Sequence, residues 1–263
     1  MMARAIAGLA LAATIAALAW RAGSLSRSGA GAAVIVGALA VTAGWSWGIL
    51  LIWFFVSSSV LTHWRERIKT ARTRSVVERG GTRDAVQVMA NGAVFALAGA
   101  VGLWQGSTSW QAFGLGSLAT AAADTFATEV GTAFGATPRL ILGGRRVVAG
   151  TSGAVSGMGT LASFVGAASM GGAAWVMAWT APVAVAVSVG GVVGAFADTL
   201  LGATVQERRH CDQCGQATER RVHDCGTTTS RTGGMRGFRN DAVNLTSGAL
   251  GGLAAVAMWR GLL

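Results

Sequence analysis

Three carboxylates stand where carboxylates are costly. The chain carries 11 acidic residues, most of them in polar segments, but Asp124, Glu129 and Asp198 each interrupt a long apolar run. A charged side chain at membrane depth is expensive, so it usually faces a cavity and marks a functional site. Threonines accompany these acids, Thr125 and Thr128 in one run and Thr199 in the other, and both aspartates share the pattern Ala-Asp-Thr. Oxygen ligands drawn from several helices suit Mg²⁺, which takes one or two carboxylates and completes its shell with substrate phosphates. The plainer alternative is a buried polar network that holds helices together.

After Glu129 the chain leaves its apolar phase through Thr137-Pro138, passes Arg145 and Arg146, and re-enters through Gly150, Thr151, Ser152 and Gly153. A glycine-rich turn offers backbone N–H groups to an anion, and the arginine pair adds positive charge. Acids for a metal and a cradle for phosphate, together in the stretch 121–157, point to phosphate chemistry at a membrane surface. Asn240, Asp241 and Asn244 open the last apolar run. Asn240 and Asn244 share a helix face there, with Asp241 alongside. Asp84 and Asp241 also have a simple structural reading, as helix-start acids that complement the macrodipole.

All 3 cysteines lie in His210-Cys211-Asp212-Gln213-Cys214 and His223-Asp224-Cys225. Cys211, Cys214, His223 and Cys225 make up the Cys₃His set used by structural Zn²⁺. Unligated thiols and a redox pair are the alternatives.

These residues must be positioned by a membrane protein. Of 263 residues 52% are hydrophobic and 12% charged, with 39 Gly and a net charge of +10. A soluble domain averages about 25% charged residues. The basic excess is nearly all arginine, since Lys69 is the only lysine. The arginines cluster in loops between apolar runs, which argues for positive-inside topology and against nucleic acid. The run 5–20 reads as a first transmembrane helix rather than a signal peptide, because the apolar pattern continues at once. The run 29–62 is longer than the ~20 residues one crossing needs, and Gly44, Ser46 and Gly48 near its middle predict a helical hairpin. The segment 63–83 is strongly basic. Further runs cover 85–104, 113–135, 153–174, 175–205 and 242–259, with Trp104 and Trp110 flanking a polar turn at 105–111. The expectation is a single all-α, polytopic integral membrane domain over 1–263. It has about eight to nine transmembrane helices, arginine-rich loops in the cytoplasm and a site facing the cytoplasm.

An internal repeat is visible. Asp84-Ala-Val-Gln87 matches Asp241-Ala-Val-Asn244, Ser28-Gly29-Ala30 matches Ser152-Gly153-Ala154, and 55–58 loosely matches 196–199. Parallel halves at 28–104 and 152–260 would then flank the core motif at 111–157, with the first helix at 1–20 ahead of them. The loop 206–239 holds the Cys/His cluster. Chance likeness among Ala/Gly/Val-rich helices is the alternative, and repeat-built membrane proteins often place their site between repeats.

The motif Asp124-Thr-Phe-Ala-Thr-Glu129-Val-Gly, with Pro138 and Val148-Ala-Gly-Thr151-Ser-Gly153 after it, resembles the membrane family of plant phytyl-phosphate kinase and eukaryotic transmembrane protein 19. The likeness continues through Asp198-Thr-Leu-Leu-Gly202, Gln206, the Cys/His cluster, Gly233-Gly234 and Asn240-Asp241-Ala-Val-Asn244. Earlier it takes in Ser57 to Thr62, Arg83-Asp84-Ala-Val-Gln87 and Asn91. It covers nearly the whole chain after the first helix, and departs mildly where Thr128 replaces a more usual Ser. The shorter Asp-Thr and Gly-Thr motifs are also similar to those of CTP-using dolichol kinases and phosphatidate cytidylyltransferases.

The resemblance implies phosphoryl transfer from a nucleoside triphosphate, CTP favoured, to a prenyl or phytyl monophosphate. Asp124, Glu129 and Asp198 would hold Mg²⁺, with Asp241 completing the catalytic set. Arg145, Arg146, Gly150, Thr151, Ser152, Gly153, Asn240, Asn244, Asp84 and Asn91 would bind phosphates or nucleotide. Expected partners are the nucleotide, the lipid, the surrounding membrane and a second copy of the chain. A CTP-dependent lipid cytidylyltransferase and a non-catalytic lipid transporter or flippase are the competing expectations.

Overall fold

A computed structural model describes residues 2–77, 80–135 and 137–262; Glu78 and Arg79 of the first basic loop lie outside the described residues. The helices are α1 (Met2–Arg21), α2 (Arg27–Ala43), α3 (Trp45–His63), α4 (Glu66–Thr73), α5 (Ala85–Gln105), α6 (Thr108–Phe134), α7 (Gly157–Val176), α8 (Ala181–Thr204) and α9 (Asn240–Gly261). Five short strands sit in the loops: β1 (Arg139–Leu140), β2 (Ala154–Val155), β3 (Arg208–Cys211), β4 (Gln216–Thr218) and β5 (Ser230–Gly233). Strands β1 and β2 pair antiparallel, and β3 lies between β4 and β5, antiparallel to both.

Among the described residues, α1, α3, α5, α8 and α9 are long and apolar enough to cross a membrane. Helix α2 is apolar but shorter. The long helices α6 and α7 are diluted, α6 by its threonines and acids and α7 by glycine and serine. Helix α4 is short and polar and lies in the basic segment. The chain is a multi-pass helical membrane protein.

The helix ends follow from local chemistry. Asp84 and Gln87 form a capping box at the start of α5, with Gln87 N donating to Asp84 Oδ1 at 3.0 Å and Asp84 N to Gln87 Oε1 at 3.1 Å. Ser26 and Ser156 cap α2 and α7 by accepting from Gly29 N and Gly159 N. Between α2 and α3 the chain turns back at Gly44. A Cβ built on Gly48 would lie 3.7 Å from Val41 Cα. A continuous helix would separate residues seven apart by about 10 Å, so the predicted hairpin is present.

Helix α6 forms the centre. It packs on α5, α7, α8 and α9, and the stretch 114–123 is buried throughout. Trp47, Phe95, Leu115, Leu118, Met170 and Val187 belong to the main core beside it, where the Trp47 and Phe95 rings lie 4.7 Å apart. Lipid offers no hydrophobic drive between helices, so close backbone approach has to supply the packing. Thr120 of α6 shows this directly. A Cβ on Gly194 of α8 or Gly251 of α9 would come within 2.1 or 2.0 Å of its Oγ1.

Candidate functional site

The C-terminal ends of α3, α6 and α8 and the N-terminal ends of α5, α7 and α9 converge at one end of the bundle. They enclose a cavity of about 360 Å³. Asp124, Thr125 and Glu129 line it from α6, Asp198 and Thr199 from α8, and Asn240, Asp241 and Asn244 from α9. Asn91 lines it from α5, and Gly150, Thr151, Ser152 and Gly153 supply one wall from the loop before α7. Three helix N-termini thus face one polar space, and each carries partial positive charge suited to an anion.

The three intramembrane acids differ in their surroundings. Asp124 is half-buried and accepts no hydrogen bond from the described residues. It lies close enough to Glu129 and to Asp198 for their charges to repel. Asp198 Oδ2 accepts from Ser247 Oγ at 2.8 Å. The Asn244 amide, oriented by donor–acceptor logic, gives its nitrogen to the same oxygen at 3.1 Å and to Asn240 O at 3.2 Å.

Glu129 is already engaged. One of its oxygens accepts from Thr62 Oγ1 at 2.8 Å and the other from Lys69 Nζ. The same ammonium donates to Leu61 O at 2.6 Å and Thr62 O at 2.7 Å, so its three protons are spent on Glu129 and the last turn of α3. This ion pair, together with Thr62, occupies both Glu129 oxygens, unlike those of Asp124, the neighbouring expected Mg²⁺ ligand. Nor do the three acids converge as a ready-made cluster: among the described residues the group whose ligand atoms lie within 4.8 Å of one another is Cys211, Cys214, His223 and Cys225. The acids still fit a metal that keeps only one or two protein carboxylates and takes its other ligands from phosphate and water.

The phosphate-binding expectations divide. Gly153 adopts φ +75°, and a Cβ there would lie 2.5 Å from Ala203 Cα, so this turn is built for glycine against the end of α8. Ser152 Oγ donates to Glu219 Oε1, which also accepts from Gln206 Nε2 at 2.9 Å. Arg145 and Arg146 do not reach the cavity. They are exposed at the base of a glycine turn, where Arg145 O accepts from Leu140 N and Arg146 bridges Arg139. Asp84 is absent from the lining as well, because the capping box holds its carboxylate. Among the described residues, the arginines that do line the cavity are Arg83, Arg209 and Arg239. Arg209 is tied to Glu207 at 2.7 Å and to Thr229.

Arg83 stands at a junction. Its guanidinium lies 5.8 Å from the centre of the Phe55 ring. Burial lowers its pKa while the Glu129 charge opposes that, and a guanidinium stays charged under such a shift. A second, apolar cleft of about 110 Å³ opens between α1, α2, α3 and α5, lined by Leu11, Ile15, Val36, Leu51 and Val88 among others. It shares Arg83, Gln87, Asn91 and Thr125 with the polar cavity.

Sequence reasoning missed Lys69, Ser247, Arg209 and Glu219 as parts of this site. The spacing of Asn240, Asn244 and Ser247 on one helix face was a usable signal for Ser247. Lys69 was marked only by being the sole lysine. Nothing local distinguished Arg209 or Glu219.

A helical bundle in the membrane, with a polar cavity at one end and acids inside its helices, defines the class of protein. The chain belongs to the integral membrane protein family DUF92, whose profile matches residues 10–252. It is similar to Protein PGR of Arabidopsis thaliana, 28% identical over 85% of this chain and 85% of that one. An uncharacterised membrane protein of Methanocaldococcus jannaschii is 30% identical over 63% of this chain and 67% of its own length. Protein VTE6, chloroplastic, from Arabidopsis thaliana is 28% identical over 91% of this chain and 66% of its own. No solved structure matches the chain.

Proposed function

We propose that the protein is a lipid-phosphate kinase that transfers the terminal phosphoryl group of a nucleoside triphosphate to a prenyl monophosphate. The observation that carries this is the shared wall of the two cavities. A polar chamber with acids and helix N-termini lies against an apolar cleft between helices, with Arg83, Gln87, Asn91 and Thr125 lining both. A polar chamber alone would suit many anions, whereas one beside an apolar cleft suits an anion with a hydrocarbon tail.

In this reading the isoprenoid chain lies along Val36, Leu51 and Phe55, and Arg83 holds its phosphate at the junction. The nucleotide's phosphates lie against the 150–153 turn and the starts of α7 and α9. An oxygen of the lipid phosphate attacks the γ-phosphorus, a new P–O bond forms, the bond to the β-phosphate oxygen breaks, and the nucleoside diphosphate leaves with that electron pair. Bound Mg²⁺ would neutralise the charge on the transferring group, held by Asp124 and Asp198. Asn244 and Ser247 orient Asp198, while Lys69 neutralises Glu129 so that it does not repel the incoming phosphates. Asp241 and Asn240 complete the wall. The preference for CTP and for a prenyl acceptor rests on the family resemblance read from the sequence. The arginine-rich loops around the chamber's mouth support a cytoplasmic orientation in a cell membrane through the positive-inside tendency.

The test is product analysis with purified protein in detergent. CTP, ATP, GTP and UTP with Mg²⁺ would be offered against phytyl, farnesyl and geranylgeranyl monophosphates, with Asp124→Asn in parallel. A lipid diphosphate and nucleoside diphosphate, lost in the variant, are expected. A CDP-lipid with pyrophosphate would replace the kinase by a cytidylyltransferase. No turnover and no nucleotide binding by a folded protein would leave transport as the better account.

A further inference from the structure

The loop between α8 and α9 contains more order than its composition explains. Among the described residues of 206–239, the buried side chains include Cys211, Thr218, His223 and Thr229, and these are no basis for a hydrophobic core. Segments too small for a core commonly hold their shape through a metal or disulfides. We propose that Cys211, Cys214, His223 and Cys225 bind one zinc ion, and that this ion fixes the roof of the polar cavity.

The four ligand atoms lie near enough together to close on one tetrahedral ion. Cys211 ends β3 and Cys214 lies in the tight turn to β4, closed by Gly215 N donating to Cys211 O at 2.8 Å with Gly215 at φ +64°. A second turn presents His223 and Cys225, closed by Gly226 N donating to His223 O at 2.9 Å. All four ligand atoms lie within 4.8 Å of one another. Cys211 Sγ and Cys225 Sγ are 3.6 Å apart, and His223 Nδ1 lies 3.4 Å from Cys225 Sγ. A disulfide would require about 2.05 Å, whereas sulfurs sharing a tetrahedral zinc at about 2.3 Å lie roughly 3.8 Å apart. The three cysteines are free thiols. His223 Nε2 is buried with no hydrogen-bond partner among the described residues, so the ring's one polar contact among them runs through Nδ1 to the Cys225 sulfur. Three sulfurs and one imidazole leave no open position, so the site is structural and stands apart from the phosphate chemistry.

The link to the cavity is covalent and short. Strand β3 follows directly on Gln206 and Glu207, and β4 (Gln216–Thr218) leads from the turn holding Cys214 to Glu219. Glu219 N donates to Val76 O at 2.9 Å, and its carboxylate takes Ser152 and Gln206. Asp224, between two of the ligands, pairs with Arg220 and with Arg74 at 3.3 Å. Holding the two turns together therefore holds Glu219 against the 150–153 turn.

The experiment uses full-length protein without a histidine tag, purified in detergent, with zinc measured by mass spectrometry and hydrogen exchange read on the same sample. About one zinc per chain is expected, falling at least fivefold in Cys214→Ser and staying near one in His223→Cys. That second variant keeps four ligands and guards against simple misfolding. Chelation is expected to raise exchange at least tenfold at residues 149–153 and 216–229 while leaving α6 unchanged. Wild-type protein that holds less than about 0.1 zinc per chain after incubation with ZnCl₂, or holds iron instead, overturns the site. Zinc that leaves without changing exchange at 149–153 overturns its role in the roof. Neither result depends on whether the protein is a kinase.

Discussion

Replacing Lys69 by methionine tests the account of the cavity most directly. The ammonium is 8% exposed and its partner Glu129 19% exposed. Its three donors go to Glu129, Leu61 O and Thr62 O. Methionine fills much of the volume and satisfies none of these acceptors. Removing one partner of a buried pair typically costs about 3–5 kcal/mol, because the other charge stays buried and unpaired. For a chain of this size about 1 kcal/mol shifts the melting midpoint by ~2–4 °C, so a fall on the order of 10 °C is expected. The 10 tryptophans allow the midpoint to be read by intrinsic fluorescence in detergent. Glu129→Gln on top of Lys69→Met removes the stranded charge and should recover more than about 1.5 kcal/mol of the loss, a coupling within the range for residues in contact. A Lys69→Met protein within about 0.5 kcal/mol of wild type, with additive behaviour in the double variant, would refute the pairing. It would return Glu129 to the set of free carboxylates.

Other outcomes follow from the same geometry. Asp198→Asn keeps the shape but removes a charge from the chamber, and turnover in the diphosphate assay should drop by about 10²-fold or more, while Arg145→Ala with Arg146→Ala stays within about twofold. Gly153→Ala places a methyl against Ala203 at a left-handed backbone angle. It should cost about 1–3 kcal/mol in thermal unfolding and raise the nucleotide KM more than it lowers kcat. Glu207 lies outside the spanning segments, and its pKa is held below the ordinary value by the Gly237 N–H and by Arg209. A depressed carboxylate contributes stability above its unfolded pKa, and that contribution is lost as the pH falls through the folded one. The melting difference between wild type and Glu207→Gln should therefore be full near neutrality and shrink as the pH drops below about 4.5.

Much of this protein could be read from its residues one at a time. Asp124 and Asp198 announced themselves because a carboxylate in an apolar run has a cost that depends only on its immediate neighbours. The break at Gly44, the Asp84 cap and the Cys-x₂-Cys pair were legible for the same reason, since turns, caps and ligand spacings are local. What sequence left open was which long-range partners these groups would meet. Ser247 is 49 residues from Asp198 and Lys69 is 60 from Glu129. Arg145 and Arg146 looked suited to phosphate, yet the β1–β2 hairpin turns them outward while Arg83 lines both cavities. The physical reason is that helices in lipid are apolar all round, so their pattern does not say which face turns inward. That choice falls to the close approach of small residues, such as Gly194 and Gly251 around Thr120, and only the packed bundle makes it.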